Sequence, residues 1–442
     1  MRKIIIAVAL LMASAVGHAQ TDSLKNQLNI GLNFMSHGEY CAGGLPRSND
    51  PVENEGRSYF IMGRTRLNVD YQRKGLEICA IIQNKAVWGT TNNLNLGLYE
   101  GWVKMTSKNG LFAQLGRIAL SYDDERIIGP NDFAMASLSH DILRAGYEGH
   151  GHKLHLGAAF NQNASMVYSG TYYNGGAQSY KNLQMAWYHY DASCIPLSGS
   201  LLIMNIGLQS GIPGSTYLQV KNVYQFLAGG YINFHPKYLT FEASYYKQKG
   251  YDVDPKYMGA YKIDAWMASA KATVNLSDKF GFVLGYDFLS GDDYIPEIYG
   301  GPFGMPRHEV SKGFSPVYGS RSKFYGIMDY FYESAYVHGF SPGLQNAFAG
   351  ITCSPAKGLN LNASYHYLAV STKLQDLNMT LGHDIDLQAS YTFTKDISLT
   401  AGLSYMSGTE TMDRLKQGNG SKNALWSWFS LVVSPDLFST GW

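Results

Sequence analysis

The sequence predicts an all-β fold, a transmembrane antiparallel β-barrel of about eighteen strands with short periplasmic turns and long extracellular loops. Three observations support this: an N-terminal export signal, no long apolar stretch after it, and repeated segments in which apolar and polar residues alternate. The charged fraction is 16%, below the roughly 25% of a soluble domain. A barrel with lipid outside and water inside needs apolar residues only at every second position. The composition therefore favours a barrel over a soluble domain or a helical membrane protein.

The N-terminus has the pattern of a secretory signal peptide. Arg2 and Lys3 precede an apolar run, Ile4–Ala15, and the small residues Gly17 and Ala19 stand at positions −3 and −1 of a cleavage site. The run is too short for the roughly 20 helical residues that cross a bilayer. We expect residues 1–19 to be removed and residues 20–442 to form a single barrel domain in a bacterial outer membrane.

The region Ser58–Gln72 shows the alternation most clearly. Apolar and small residues occupy its odd positions from 59 to 71, and Arg, Asn, Asp and Gln its even positions from 64 to 72. A period of two is typical of a β-strand. Leu76–Lys85 repeats the pattern, and Arg73–Gly75 between them predicts a hairpin turn. Similar segments recur at Leu154–Phe160 and Asp384–Phe393, and we expect their polar faces to line the lumen.

The connections predict the number of strands, because bacterial barrels alternate short turns with longer loops and have an even strand count. Short connections are predicted at Arg73–Gly75, Ser107–Gly110, Gly149–Gly151, Ala192–Gly199, His235–Tyr238, Ser277–Lys279, Ser354–Gly358 and Thr394–Asp396. Longer or more variable ones are predicted at His37–Arg57, Gly89–Asn93, Tyr122–Leu138, Gln162–Tyr180, Gly211–Ser215, Gln248–Ala260, Ser290–Gly343, Ser371–Gly382 and Ser407–Asn423. These turns and loops join about eighteen strands and leave both termini in the periplasm.

One segment competes with an even strand count. Lys323–Phe331 (KFYGIMDYF) has the composition of a nineteenth strand. An odd number would break closure in this class of barrel, so we expect the segment to lie inside the long loop, over the mouth or within the lumen.

Several short motifs resemble the alginate-export family of outer-membrane porins, in order and at matching spacing over nearly the whole mature chain. They are Leu115–Gly129 (LGRIALSYDDERIIG), Phe133, His140–Arg144, Leu289–Asp293, Tyr318–Ser320, Lys323–Gly326, Met328–Phe331 and Gly382–Leu387. The resemblance implies an eighteen-stranded porin with a polar, charged pore partly closed by loops, which passes small hydrophilic, anionic or saccharide solutes such as uronate oligosaccharides or polysaccharides. Ile118 and Ser322 depart from the family pattern, and this puts the polysaccharide specificity in doubt but not the fold.

The charged residues of the first third of the chain are the candidates for setting selectivity in the pore. The basic ones are Arg64, Arg66, Lys85, Lys104, Arg117, Arg126 and Arg144, and the acidic ones are Asp70, Glu100, Asp123 and Asp124. Inward cations would attract carboxylates or phosphates. The alternative is a lumen in which the charges pair and only keep the wall wet. We expect an anion preference set by Arg64, Arg66, Arg117 and Arg144, although Arg117 shares its register with Ala113 and Leu115, and we expect loop Tyr122–Leu138 to narrow the passage.

Other chemistry has little support in the sequence, and we predict no metal and no cofactor. Without Arg2 and Lys3 the chain has 33 basic and 34 acidic side chains, so no bulk charge recruits nucleic acid. The acidic groups Asp123–Glu125 and Asp292–Asp293 are of the type that holds Ca²⁺, but such groups more often pair with Arg. The residues His150 and His152 flank Gly151 in a predicted turn, which favours a solvated turn over a metal site.

Two alternatives to a channel are an outer-membrane barrel enzyme with a hydrolase site, and a plugged structural or adhesion barrel. The residues Ser139, His140 and Asp141 are adjacent, and neighbours on a strand point to opposite faces, so they do not form a catalytic triad by themselves. We therefore predict that the protein is not an enzyme. The expected partners are outer-membrane lipid, the passing solutes and the barrel-assembly machinery.

Overall fold

A computed structural model gives the fold of the chain. It describes residues 26–43, 57–90, 95–133, 135, 137–162, 180–212, 215–217, 219–253, 259–293, 310–320, 323–328, 341–415 and 423–442. The expected signal peptide and its cleavage site lie outside the described residues.

Eighteen antiparallel strands form one closed barrel. They are β1 (Gln27–Gly43), β2 (Arg57–Arg73), β3 (Leu76–Val87), β4 (Asn95–Thr106), β5 (Leu111–Ile118), β6 (His140–Gly149), β7 (His152–Phe160), β8 (Asn182–Asp191), β9 (Leu197–Ser210), β10 (Lys221–Phe234), β11 (Leu239–Val253), β12 (Ala260–Ser277), β13 (Phe280–Leu289), β15 (Leu344–Ala356), β16 (Leu359–Ala369), β17 (Thr380–Thr394), β18 (Ile397–Gly408) and β19 (Asn423–Val433). The barrel closes where β1 pairs with β19, with Phe34 opposite Val433 and Gly43 opposite Ala424.

Three short elements complete the described structure. Strand β20 (Asp436–Gly441) continues β19 along β1 after an irregularity. Strand β14 (Val310–Ser311) pairs in parallel with β12, opposite Lys262 and Ile263. A short helix, Glu410–Leu415, lies between β18 and β19. No helix in the described residues is long and apolar enough to cross a membrane.

The two faces of each strand differ as the alternation predicts. On β7, His155, Gly157 and Ala159 are buried inside the barrel, whereas Leu156 and Phe160 are about half exposed on its outer surface. Exposed Leu, Ile, Tyr and Phe side chains continue around the outside on the other strands. Apolar surface of this extent is unfavourable in water and is covered by the hydrocarbon of a bilayer.

The connections alternate in length as expected. The two-residue turn between β2 and β3, for example, is followed by the loop of residues 88–94 between β3 and β4. We call the third loop, residues 119–139 between β5 and β6, L3, and the seventh, residues 290–343 between β13 and β15, L7. The described part of Lys323–Phe331, residues 323–328, is in L7 and forms no strand. The prediction that this segment lies within the long loop is confirmed for those residues.

Candidate functional site: a constriction inside the barrel

Loops L3 and L7 turn into the lumen and hold each other there. Ile128 of L3 and Tyr318 of L7 form a parallel β-bridge. The Gly129 amide donates to the Tyr318 carbonyl at 2.9 Å, and the Tyr318 amide donates to the Ile127 carbonyl at 3.1 Å. Ile127, Ile128 and Tyr318 are buried and join an apolar cluster with inward residues of the barrel wall. The loops therefore fill part of the lumen and leave a narrower passage.

Arg126 of L3 is the main polar link between the two loops and the wall. Its guanidinium group lies 3.1 Å from Asp287 on β13 and 3.2 Å from Asp124, and it donates to the Tyr325 hydroxyl of L7 at 3.2 Å. The ring of Phe324 stacks against it at 4.0 Å. Burial alone would lower the pKa of Arg126, but Asp287, Tyr325 and Asp124 together raise it. Arg126 is therefore charged and fully neutralised, and it acts as a structural anchor.

Strand β17 also anchors L7 to the wall. The Ile327 amide donates to Asp386 Oδ2 at 2.9 Å, and the Ser404 hydroxyl donates to the other oxygen of the same carboxylate. Gly326 has φ +91°, and a Cβ on it would lie 2.3 Å from Asp384 Oδ2. Only glycine combines this backbone conformation with so close an approach to the wall.

Arg64 and Arg66 on β2 meet one carboxylate, that of Asp132 in L3. The closest distances are 3.2 Å from Arg64 and 2.8 Å from Arg66. Ser137 accepts from both guanidinium groups, and Tyr99 lies under Arg66 with its ring centroid at 3.7 Å. Burial would raise the pKa of Asp132, but the two arginines outweigh it and hold this pKa below its ordinary value. Two cations and one anion leave a net positive charge at this wall, and the Asp132 side chain is 50% exposed whereas those of Arg64 and Arg66 are 1% and 8% exposed.

A cavity of about 340 Å³ lies between the inner loops and the wall formed by β17 and β19. Its lining residues are Glu125, Pro130, Asp132, Phe133, Ser320, Lys323, Ile327, Gln388 and Trp428. Lys323 pairs with Glu125 at 2.6 Å, and the Lys323 side chain is 55% exposed whereas that of Glu125 is 14% exposed. The ammonium group is therefore more accessible to a solute than its partner. We take this cavity as the constriction of the passage.

Aromatic rings form one wall of the constriction. Phe133 of L3 contacts Trp428 of β19 edge to face, with centroids 5.0 Å apart, and His37 of β1 in the same way at 5.3 Å. His37 stacks on Trp428 at 5.6 Å. Trp426 precedes Trp428 on the same face of β19 and donates its indole N–H to Glu39 at 2.9 Å. The constriction is therefore lined by both aromatic rings and charged groups.

A second group of polar residues lies on β4, β5 and β6. Arg144 donates to Gln114 and to the Tyr122 hydroxyl, the latter at 3.0 Å. Lys104 lies over the ring of Phe112 and 4.0 Å from Glu148. No carboxylate in the described residues forms an ion pair with Arg144, so its charge is held by neutral acceptors.

Asp123 has a different role from the one its acidic neighbours suggested. Its carboxylate accepts hydrogen bonds from Ser200 at 2.5 Å and Trp187 at 3.1 Å, and the Tyr246 hydroxyl lies 3.5 Å away. No cation pairs with it in the described residues. Burial raises the pKa of Asp123 above its ordinary value despite these hydrogen bonds. Asp123 therefore fixes L3 to the wall.

Apart from Arg117, the predicted site residues separate into two groups. Arg64, Arg66, Asp70, Lys85, Glu100, Lys104 and Arg144 lie on inward positions of their strands, whereas Asp123, Asp124 and Arg126 lie on L3 within the lumen. Of these, Arg64 and Arg66 reach a group that lines the constriction. Arg126 is buried and Asp123 is partly buried, and both hold L3 in place, whereas Asp124 pairs with Arg126.

Arg117 is a correction, because it lies on the outer surface of the barrel. Phe112 and Gln114 are buried and define the inner face of β5, so Leu115 and Arg117 face outward. Arg117 forms two hydrogen bonds, at 2.8 and 2.7 Å, to Asp141 on the outer face of β6. Arg117 faces outward because it is in register with Leu115. Its charge is tolerated on the outer surface because it is paired with Asp141 near the loop end of the strand.

The structure adds residues that the sequence reasoning did not select, namely Asp132, Lys323, Asp287, His37, Trp426 and Trp428. The period of two predicts which strand residues face inward. It does not predict what they contact, because their partners are distant in sequence. The one signal in the sequence for Asp132 is that it lies a few residues after the acidic group Asp123–Glu125.

The described residues form neither a metal site nor a catalytic triad of Ser139, His140 and Asp141. The acidic residues of L3 contact Arg, Lys, Ser and Trp side chains, and the described residues contain no group of three or more His, Cys, Asp or Glu side chains that could hold a metal ion. His140 is buried and accepts or donates a hydrogen bond with Tyr180, whereas the adjacent Asp141 faces outward. Ser139, His140 and Asp141 therefore do not converge.

The fold is similar to that of solved outer-membrane porins. The Acinetobacter baumannii OccAB1 structure matches with a TM-score of 0.60 and 12% identity, covering 93% of this chain and 97% of that chain. Pseudomonas aeruginosa OccK5 (OpdH) matches at 0.58 and 11%, covering 93% and 99%. Pseudomonas aeruginosa OccK2 (OpdF) in complex with glucuronate matches at 0.58 and 12%, covering 93% and 98%. No protein-family model matches the sequence, and no curated protein is significantly similar to it.

Proposed function

We propose that this chain is an outer-membrane channel for the passive passage of small hydrophilic solutes, with a preference for anions. The closed barrel, its apolar outer surface and the similarity to solved porins support the channel. The loops that fold inward support selection among solutes, because a narrow passage forces each solute close to the charges of the wall.

The charge balance at Asp132 carries the anion preference. Two guanidinium groups, Arg64 and Arg66, lie within 3.2 Å of a single carboxylate, and Lys323 exposes more of its side chain than its partner Glu125 does. In a narrow, partly dehydrated passage the effective dielectric constant is lower than in bulk water. A small excess of positive charge there outweighs a net charge of the whole chain near zero.

The finer proposal is that the solutes include acidic saccharides such as uronates. The aromatic wall formed by Phe133 and Trp428 lines the same cavity as the charged Glu125, Asp132 and Lys323. Sugar rings can stack on such aromatic rings while their carboxylates pair with cations. Glucuronate is bound in the structure of OccK2. The resemblance to alginate-export porins rests on the sequence motifs alone and points to the same class of solute.

Single-channel recording in planar bilayers tests the proposal. Under a salt gradient the wild type is expected to show a reversal potential of the sign for anions. Arg66→Gln should move the potential towards cation preference and Asp132→Asn should move it further towards anion preference. Arg117→Gln is the matched control, because it removes the same charge from the outer surface and should leave the potential unchanged. A cation preference in the wild type, or equal shifts in all three variants, contradicts the proposed selectivity.

A plugged structural or adhesion barrel is the second candidate, favoured by the apolar packing of L3 and L7 within the lumen. A folded, heat-modifiable protein that gives no conductance at any voltage and no solute uptake into liposomes would favour it over the channel. An enzyme is not proposed, because the described residues bring no nucleophile, base and orienting group together. The solved neighbours are porins.

Export and assembly complete the proposal. We propose cleavage near Ala19, insertion by the barrel-assembly machinery and residence in the outer membrane, as the N-terminal pattern indicates. N-terminal sequencing of the protein from an outer-membrane fraction tests this. A mature chain that begins with Gln20 is the expected result, and an uncleaved N-terminus in the inner membrane contradicts it.

A further inference from the structure

Three lysines gather on the outer surface at the loop ends of β11 and β12. Tyr246 and Gln248 are buried inside the barrel, so Lys247 and Lys249 between and after them point outward. On β12, Ile263 and Ala265 are buried inside, so Lys262 and Asp264 point outward. We call Lys247, Lys249 and Lys262 the lysine patch.

The strand register places the members of the lysine patch side by side. Lys249 is directly opposite Asp264, Lys262 is opposite Tyr251, and Lys247 is opposite Trp266. Lys247 forms an ion pair with Asp264. The patch therefore has three ammonium groups and one carboxylate. The pair formed by Arg117 and Asp141 elsewhere on the outer surface is balanced, one charge against one.

The patch lies at the loop end of the apolar band of the outer surface. Tyr238 and Phe241 lie near the turn end of the band, and Tyr245 and Trp266, with their rings 6.1 Å apart, lie near its loop end, where exposed Phe226 and Tyr251 flank the lysines. Lys247 follows Tyr238 by nine residues, or roughly 30 Å along an extended strand. At a tilt of about 40° this spans about 23 Å, close to the roughly 25 Å height of the apolar band in barrels. The ammonium groups therefore lie at the level of lipid headgroups.

We propose that the lysine patch binds the phosphate-bearing headgroup of an anionic lipid in the leaflet at the loop end of the barrel. The three ammonium groups supply the charge complementarity, and Tyr245 and Trp266 below them contact the upper part of the acyl chains. The patch is on the lipid-facing surface and not in a cavity, so its ligand must have acyl chains as well as phosphate. This site lies outside the lumen and is independent of solute passage.

Native mass spectrometry of the detergent-solubilised, folded protein tests the proposal. The probes are phosphatidylglycerol and phosphatidylcholine with identical acyl chains. The wild type is expected to bind phosphatidylglycerol at least fivefold more tightly than phosphatidylcholine, and inorganic phosphate at the same concentration should not displace the lipid. Displacement by inorganic phosphate would assign the patch to a free anion and overturn the proposal.

Variants then locate the site. The triple variant K247Q, K249Q and K262Q should lose the preference for phosphatidylglycerol, and the triple variant K247R, K249R and K262R should retain it. The matched control is K237Q, K279Q and K357Q, which removes three exposed lysines from the turn end of the barrel and should keep the wild-type preference. Heat-modifiable migration confirms that each variant is folded. A full preference in the first triple variant, or an equal loss in the control, contradicts the proposal, whatever the channel recordings give.

Discussion

Arg126 and Asp287 form a buried ion pair, 3.1 Å long, that joins loop L3 to strand β13. Each side chain is no more than 5% exposed, and Asn346 donates to the second oxygen of Asp287 at 2.8 Å. The pair lies at the centre of the contacts among L3, L7 and the wall. Since Tyr325 of L7 also binds Arg126, one side chain holds both loops in position. The shape of the constriction therefore depends on a residue that does not face it.

Arg126→Gln is expected to destabilise the barrel and loosen the inner loops. Removing one partner of a buried pair leaves an uncompensated buried charge, which costs about 3–5 kcal/mol. The variant should lower the midpoint of thermal unfolding and raise the single-channel conductance. Arg117→Gln is the control, because its partly exposed pair contributes at most about 1 kcal/mol. A conductance in Arg126→Gln equal to that of the wild type would show that the loops are held by other contacts.

Asp123→Asn is expected to stabilise the protein at pH 8. Because burial raises the pKa of Asp123 above the ordinary value of 3.8, the charged form is less favourable in the folded protein than in the unfolded one. The folded state therefore loses stability as the pH rises through the raised pKa. The amide oxygen of Asn keeps the bonds from Ser200 and Trp187. Thermal unfolding at pH 8 should favour the variant, with a gap that narrows as the pH falls towards 4. A less stable variant at pH 8 contradicts this account.

Asp132 should respond to pH in the opposite direction. Arg64 and Arg66 hold its pKa below 3.8, so the carboxylate stays charged until the pH falls below that value. Its contribution to stability is present above the ordinary pKa and is lost only as the pH falls through the lowered one. Protonation then leaves both arginines without a counter-charge. The reversal potential should move towards anions in strongly acidic buffer, and Asp132→Asn should lack this component. An equal pH response in variant and wild type would assign the shift to other carboxylates.

The sequence predicted the barrel well, because a period of two fixes the face of every side chain once a strand is recognised. The inner position of Arg64 and Arg66 followed from that alternation alone. Arg117 shows the limit: its own register with Leu115 placed it outside, but its charge suggested the lumen. Charge is a weaker guide than register at the end of a strand, where a partner such as Asp141 can neutralise it.

The constriction could not be predicted in the same way. Its contacts join residues far apart in the chain, such as His37 with Trp428 or Arg126 with Tyr325. Loop L3 has no periodicity that reveals where its side chains point, and positive φ at Asp123 and Glu125 turns its backbone sharply. The motifs in L3 and L7 that carry the family resemblance do coincide with these contacts. The order of these motifs along the chain did not predict that L3 and L7 contact each other.

Phe133→Ala is expected to widen the passage without changing its charge. The ring of Phe133 contacts both His37 and Trp428 and lines the constriction, so its removal enlarges the cavity from the side of L3. Single-channel conductance should rise while the reversal potential stays at the wild-type value, because no charged group is lost. Uptake of a uronate into liposomes should show a lower apparent affinity, since the ring surface for stacking is reduced. Phe160→Ala, on the lipid-facing surface of β7, is the matched control and should alter neither quantity. If both variants conduct like the wild type, the narrowest part of the passage lies elsewhere. If Phe133→Ala changes the reversal potential, the loop has moved and the aromatic wall is a support for the charges.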